Sequence, residues 1–289
     1  MTDRLVLVTG ASGNIGHAAC ASLRARGWRV RALVHRRPVS LVDEQVEGAL
    51  EDPRSLARAA LGVDAVLHLA AVTHARRPAL YERLNLRGTV SLLEAARTTA
   101  VDRFVFASTR AISPTGGAYS RSKNAAEQAV EGSGLRYTIV RLPEVYGAGG
   151  TEGVDRIIEL ARRGWPIPLF GADSERLCPV HADDILPPLL AALESDRCLD
   201  KTYTLAGDCL TLREFAHACV SAFSSESRIV NLPMVALRVL AAAGRLLPLP
   251  VYPDQVARLL APKPEATPDA FDELRFRPRS LEEGLRALA

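Results

Sequence analysis

The sequence predicts an α/β fold, a parallel sheet with helices on both faces followed by a smaller C-terminal lobe. Three observations predict it. Short apolar runs alternate with helical patterns through the first half of the chain. The first run, Leu5-Val6-Leu7-Val8, is apolar at every position, which suits a strand covered on both faces. Directly after it comes Gly10-Ala11-Ser12-Gly13-Asn14-Ile15-Gly16, a glycine-rich turn opening onto a helical pattern.

The elements follow in order. Strands are expected at residues 5–9, 29–34, 46–50, 65–69, 103–107 and 137–142. Helices are expected between them at 14–26, 54–61, 79–98 and 119–131, with Gly27 and Gly132 where helix C-caps use glycine. Beyond Leu142 the rhythm changes. Glycines crowd the loop after Tyr146, and helices are expected at 154–163, 184–194 and 211–224. The chain therefore reads as a nucleotide-type sheet domain over residues 1–142. Residues 143–289 read as a mainly substrate-binding lobe with segments that return to the first domain.

Composition narrows the functional classes. The 289 residues are 48% hydrophobic and 24% charged, which excludes disordered and low-complexity chains. A net charge of +3 is far from the dense basic stripe that nucleic-acid backbones require, so no nucleic-acid partner is implied. Cys20, Cys178, Cys198, Cys209 and Cys219 are odd in number and scattered, suggesting neither a zinc site nor a disulfide framework, and no metal is expected. They read as small, mostly buried thiols in a reducing compartment. The apolar stretch at 235–251 is interrupted by Arg238, Arg245, Pro248 and Pro250 and cannot span a bilayer of about 30 Å. A cytoplasmic protein with a small-molecule substrate and no membrane partner is expected, and a homodimer stays open.

The glycine turn has the chemistry of a pyrophosphate cradle. Its glycines let the backbone turn sharply and approach a diphosphate, and the helix N-terminus offers N–H groups and the positive end of a dipole. About 20 residues further on, an acid would read an adenosine ribose 2′-OH. This chain has His35-Arg36-Arg37 there, donors suited to a 2′-phosphate. NADP(H) is therefore favoured, with NAD(H) as the alternative. Tyr119 and Lys123, four residues apart, share one helical face, where the ammonium favours the phenolate and lowers its pKa. The strand Phe104-Val105-Phe106 runs into Ser108-Thr109, whose hydroxyls can hydrogen-bond a substrate carbonyl.

Gly10 to Gly16, His68-Leu69-Ala70-Ala71, Asn85 with Gly88-Thr89, Ser108-Thr109 and the Tyr119/Lys123 pair together resemble the short-chain dehydrogenase/reductase superfamily. Arg141-Leu-Pro-Glu-Val-Tyr-Gly147 and Val180-His181-Ala-Asp183-Asp184-Ile185 are similar to segments of its extended branch, the NAD-dependent epimerase/dehydratase family typified by UDP-glucose 4-epimerase. The resemblance covers nearly the whole chain. It implies a Rossmann-type doubly wound sheet and a catalytic set of Thr109, Tyr119 and Lys123, with Asn85 supporting the geometry. The implied cofactor contacts are Gly10, Ser12, Gly13, Asn14, Ile15, Gly16, His35, Arg36, Arg37, Leu50, Leu69, Ala70, Ala71, Lys123, Leu142, Pro143 and Val145. The implied substrate contacts are Ser108, Thr109, Glu144, Arg176 and Lys263.

Several positions depart from the family pattern. Glu144 stands where many epimerases carry an asparagine facing the sugar nucleotide, and a carboxylate there repels a diphosphate. Arg176 and Lys263 are candidate diphosphate cations, and each also reads as a surface cation. Ala49 replaces an aspartate often found beside adenine. His68 and His181 read as structural, and His74 with Arg76-Arg77 reads either as an anion-facing loop or as solvated surface. The resemblance favours an NAD(P)-dependent oxidoreductase or epimerase acting on a nucleotide-sugar. One alternative is an NADPH-dependent ketone or alcohol oxidoreductase on a less polar metabolite, favoured by Glu144, Arg36, Arg37 and the apolar stretch at 246–252. Another is a non-catalytic dinucleotide-sensing protein.

Overall fold

A computed structural model describes residues 4–147, 149, 153–171, 176–243 and 253–289. The glycine-rich loop at 148–152 lies largely outside these, and the apolar stretch at 246–252 wholly so. The core is a seven-stranded, wholly parallel sheet. Its strands are β1 (Leu5–Thr9), β2 (Arg29–Val34), β3 (Glu44–Glu47), β4 (Ala65–His68), β5 (Arg103–Thr109), β6 (Arg136–Leu142) and, after three strands of the second half, β10 (Lys201–Thr204). They lie in the order β10-β6-β5-β4-β1-β2-β3. Around them run α1 (Asn14–Ala25), α2 (Pro53–Ala60), the short α3 (Ala79–Tyr81), α4 (Gly88–Thr98) and α5 (Gly117–Glu131).

The continuous apolarity of β1 is explained by its place in the centre. Val6 and Val8 face one layer with Leu23 of α1, while Leu5 and Leu7 face the other with Leu56 of α2 and Leu92 of α4. Val6, Leu7 and Val8 are fully buried. Because all strands run the same way, their C-terminal ends share one edge, where ligands of such sheets bind.

The sequence reading is corrected in four places. The third strand is Glu44–Glu47 and not 46–50. It is an edge strand paired only with β2, so it tolerates polar residues, and Glu44 is held by Arg29 and Arg31 across the pair. The expected helix at 79–98 is interrupted by a π-helical segment, Glu82–Arg87, which buries Asn85. The expected helix at 184–194 starts as a 3₁₀ turn, Ala182–Ile185, before α7 (Leu186–Glu194). Lys201–Thr204, not expected as a strand, extends the sheet by pairing with β6.

Outside the large sheet, β7 (Val145–Tyr146) pairs with β9 (Val180–His181), and β8 (Ile167–Phe170) with β11 (Ile229–Leu232). Helices α6 (Val154–Arg162), α8 (Leu212–Ala222) and α12 (Leu281–Arg286) pack round a separate core of Tyr146, Ile157, Phe215, Leu281 and Leu285. Capping boxes start α8 at Thr211/Glu214 and α12 at Ser280/Glu283. The remaining helices are α9 (Met234–Ala243), α10 (Pro253–Leu260) and α11 (Ala270–Glu273). Among the described residues no helix is long and apolar enough to cross a membrane.

The expectation of free thiols also needs correction. Cys178 and Cys209 form a disulfide, while Cys20, Cys198 and Cys219 are free and buried. The two half-cystines are 31 residues apart and meet because Leu177 and Leu210, their chain neighbours, form an antiparallel bridge. Sequence spacing carries no trace of that bridge.

Leu67→Ala in β4, fully buried in the layer of Val6, Val8 and Leu23, should lower unfolding free energy in a urea titration by about 2–5 kcal/mol, the usual cost of such a cavity. Leu61→Ser, at a 67% exposed position, should stay within about 0.5 kcal/mol of wild type in the same urea titration.

Candidate active site

The turn between β1 and α1 is shaped for a close ligand. Gly10 has φ +75°, and a Cβ there would lie 2.7 Å from Ala70 N, so its backbone runs directly against the loop after β4. Gly13 is the N-cap of α1 and supplies no side chain, and no acid stands in the helix's first turn. Ser12, Gly13 and Asn14 are exposed at this end, with Ile15 half-buried and Gly16 buried beneath. His35, Arg36 and Arg37 follow β2 on the same edge and are exposed. Neither arginine is drawn into an ion pair with a described residue, leaving both guanidiniums for a ligand.

Other expected cofactor residues come to this edge as well. Ile15, Leu69, Leu142 and Val145 pack from the rim onto the same apolar layer. Pro143 is half-buried, Ala70 packs on the opposite layer, Ala71 is exposed, and Leu50 is buried against Gly88. This cradle, with its uncapped helix end and flanking arginines, fits a nicotinamide dinucleotide.

His68 is fixed by Thr9 Oγ1 at 2.6 Å and by Thr89 Oγ1 at 2.9 Å, and burial holds its pKa down to about 3. It is a neutral structural group under the turn. Asn85 is 1% exposed; its Oδ1 accepts from Val72 N at 2.8 Å. Its Nδ2 donates to Val72 O and Ser122 Oγ, at 3.0 and 3.2 Å. It ties the loop after β4 to α5 and touches no reacting position, so it is a positioning residue.

The expected acid–base group assembles where β5 ends and α5 begins. The Thr109 hydroxyl accepts from Ala111 N at 3.1 Å and acts on the neighbouring Tyr119 phenol so as to lower its pKa. Ser108 Oγ is buried and, among the described residues, has no hydrogen-bond partner, a costly state that a bound oxygen would relieve. Lys123 is 2% exposed and donates from Nζ to Ala107 O at 2.8 Å, with the Phe106 ring centre 3.9 Å away. Burial lowers its pKa to about 7, against the pull of the Glu127 carboxylate. Glu127 itself is paired with Arg141 at 2.6 Å.

One expectation about this group changes. Lys123 was read as the cation acting on Tyr119, but its ammonium is turned to the strand carbonyl. Burial raises the Tyr119 pKa, and the cation that opposes this is Arg258 of α10, centred 4.6 Å over the phenol ring. Tyr81 meets the ring edge-on at 5.7 Å. Arg258 carries no motif and was missed; its spacing of four from Asp254 is the one signal the sequence offered.

The substrate side holds a second surprise. Glu144 takes Lys263 Nζ at 2.9 Å on one oxygen and Cys178 N at 3.1 Å on the other, with Arg110 at 4.0 Å. Burial would raise its pKa, but Lys263 and the Cys178 N–H outweigh that and hold it below the usual carboxylate value. Arg110 also donates to Pro264 O and Arg176 O, and Arg176 donates to Cys209 O at 2.6 Å.

A family model for NAD dependent epimerase/dehydratase matches residues 6–206. The chain belongs to the NAD-dependent epimerase/dehydratase family. It is 32% identical to ceramide reductase of Caulobacter vibrioides over 235 residues, covering 79% of this chain and 74% of that one. It is 28% identical to 2-alkyl-3-oxoalkanoate reductase of Stenotrophomonas maltophilia, with 98% of each covered. The structure of UDP-glucose 4-epimerase from Thermotoga maritima, solved with UDP-glucose, superposes with a TM-score of 0.78, covering 98% and 96% of the chains at 23% identity, and shows the shared fold. As a family member the protein is an NAD(P)-dependent oxidoreductase or epimerase, and its cofactor is a nicotinamide dinucleotide.

The pKa of Lys123 gives a signed test. Folding lowers it from 10.5 to about 7, so the unfolded chain binds the extra proton between those values and stability falls as pH drops from 10.5 toward 7. Lys123→Met removes this penalty. Without cofactor, the variant should unfold at higher urea than wild type at pH 7, and the difference should shrink steadily toward pH 10.5. A constant difference across that range would contradict the buried-ammonium account.

Proposed function

We propose that the protein is an NADPH-dependent ketone reductase acting on a lipophilic carbonyl compound. The carrying observation is the Glu144–Lys263 ion pair. A nucleoside diphosphate needs uncommitted cationic donors, and here Lys263 is spent on Glu144 while Arg176 and Arg110 are spent on backbone carbonyls. A diphosphate entering this side would meet a carboxylate already stabilised in its charged form. The two cations expected to hold a diphosphate, Arg176 and Lys263, are thus already engaged. The two relatives are named as reductases, one of a ceramide and the other of a 2-alkyl-3-oxoalkanoate, which supports a reductase acting on a lipophilic compound.

In this reading the reduced nicotinamide, when bound, supplies the hydride to the carbonyl carbon. The chain supplies the rest. Ser108 Oγ and the Thr109 hydroxyl bond the carbonyl oxygen, and the Tyr119 phenol gives it the proton as charge develops there. Lys123 holds the nicotinamide ribose with the ammonium N–H groups that Ala107 O does not take. Arg36 and Arg37 read the 2′-phosphate, which selects NADPH.

Tyr119→Phe keeps the ring between Tyr81 and Arg258 and removes the proton. It should lower kcat about 10²–10⁴-fold on any ketone substrate, with cofactor affinity unchanged. Calorimetry should detect no binding of UDP or dTDP to the holoenzyme, and saturable nucleoside diphosphate binding would restore the nucleotide-sugar reading. Replacing Arg36 and Arg37 together with alanine should remove about 1–3 kcal/mol of the preference for NADPH over NADH. Equal NADPH affinity in the variant and wild type would remove the 2′-phosphate assignment.

A further inference from the structure

Helix α10 is seated on the start of α5 by one acid. Asp254 accepts from Ala118 N at 2.6 Å and from Tyr119 N at 3.4 Å. The fit is close enough to need glycine beside it: Gly117 has φ +87°, and a Cβ there would lie 2.3 Å from Asp254 Oδ1. One turn along α10, Arg258 is carried over the face of the Tyr119 ring. Its link to Asp254 is long, 3.4 Å from Nε, because the carboxylate is already engaged with the α5 backbone. Arg258 Nη2 is buried and, among the described residues, has no hydrogen-bond partner. The guanidinium thus keeps an unmade donor against the ring of the proposed proton donor.

We propose that Arg258 is a substrate-recognition residue that binds a carboxylate carried by the substrate beside the reacting carbonyl, so that the protein selects 3-oxo acids over neutral ketones. The inference rests on the ketone-reductase reading. A guanidinium edge matches a carboxylate with two parallel hydrogen bonds and holds its charge at every working pH, which a lysine ammonium on a flexible stem does less well. Two orphaned donors then have separate tasks: Ser108 Oγ takes the ketone oxygen, and Arg258 Nη2 takes the acid. The hydride passes from the reduced nicotinamide to the ketone carbon and the proton from Tyr119 to its oxygen, while the carboxylate is unchanged. Arg258 also opposes the rise that burial imposes on the Tyr119 pKa in the ligand-free protein.

The experiment compares a 3-oxo alkanoate with the methyl ketone of the same alkyl chain, using wild type, Arg258→Gln and Arg258→Lys. Wild type should favour the acid in kcat/KM. Arg258→Gln should lose activity on both, with the loss on the acid at least tenfold greater and carried mainly by KM, and Arg258→Lys should recover part of it. Calorimetry of the matching 3-hydroxy alkanoate with the oxidised holoenzyme gives a readout free of turnover: binding should weaken at least tenfold in Arg258→Gln. Equal losses on acid and ketone, or unchanged hydroxy-acid binding, would overturn the assignment and leave the reductase reading intact. A wild type that reduces neither compound and does not bind the hydroxy acid would overturn both.

Discussion

The ammonium of Lys123 lies inside the protein, 2.8 Å from Ala107 O and 3.9 Å from the centre of the Phe106 ring, and its surroundings are built to hold it there. Burying an unpaired ammonium is costly, and the chain offsets the cost with a strand carbonyl, an aromatic face and the nearby Glu127 carboxylate. Glu127 in turn is locked by Arg141 of β6, so α5, β5 and β6 are coupled through one charge network. Asn85 joins this network from the other side by bonding Ser122, the residue before Lys123, and fixing the loop after β4. The π-helical segment that interrupts the helix at 82–87 is what turns the Asn85 amide inward.

Two further charge arrangements give the site its character. Glu144, Lys263 and Arg110 form a cluster on the substrate side, braced by the Cys178 N–H beside the Cys178–Cys209 disulfide. Asp254 and Arg258 form the other, above Tyr119. In the first the cations are consumed by the protein; in the second a guanidinium donor is left unmade. In the proposed reading, this division favours a substrate with one anionic end beside the reacting carbonyl over one carrying a diphosphate.

Much of this was legible in the sequence because it rests on local patterns. The strand, glycine turn and helix around Gly10 are contiguous, as are Ser108-Thr109 and the Tyr119/Lys123 spacing, and each landed at the expected end of its element. What was not legible depended on distance along the chain. The seventh strand is four residues long and acquires its identity only by pairing with β6. The disulfide needs the bridge between Leu177 and Leu210 to bring its halves together. Glu144 was read as a repulsive carboxylate because Lys263, over a hundred residues later, could not be placed against it. Arg258 was missed for the same reason, since its meaning comes from a contact with Tyr119 and not from any motif around it.

The account turns on net reduction: the site is read as converting a ketone to an alcohol and releasing oxidised cofactor, whereas an epimerase restores its cofactor in every cycle. The most direct measurement is the stoichiometry of cofactor oxidation against product in a single-turnover experiment with NADPH and a 3-oxo alkanoate. The account predicts one hydroxy acid formed for each NADPH oxidised. Product formed with no net NADPH oxidation, or a nucleotide-sugar epimerised while the cofactor is retained, would contradict it.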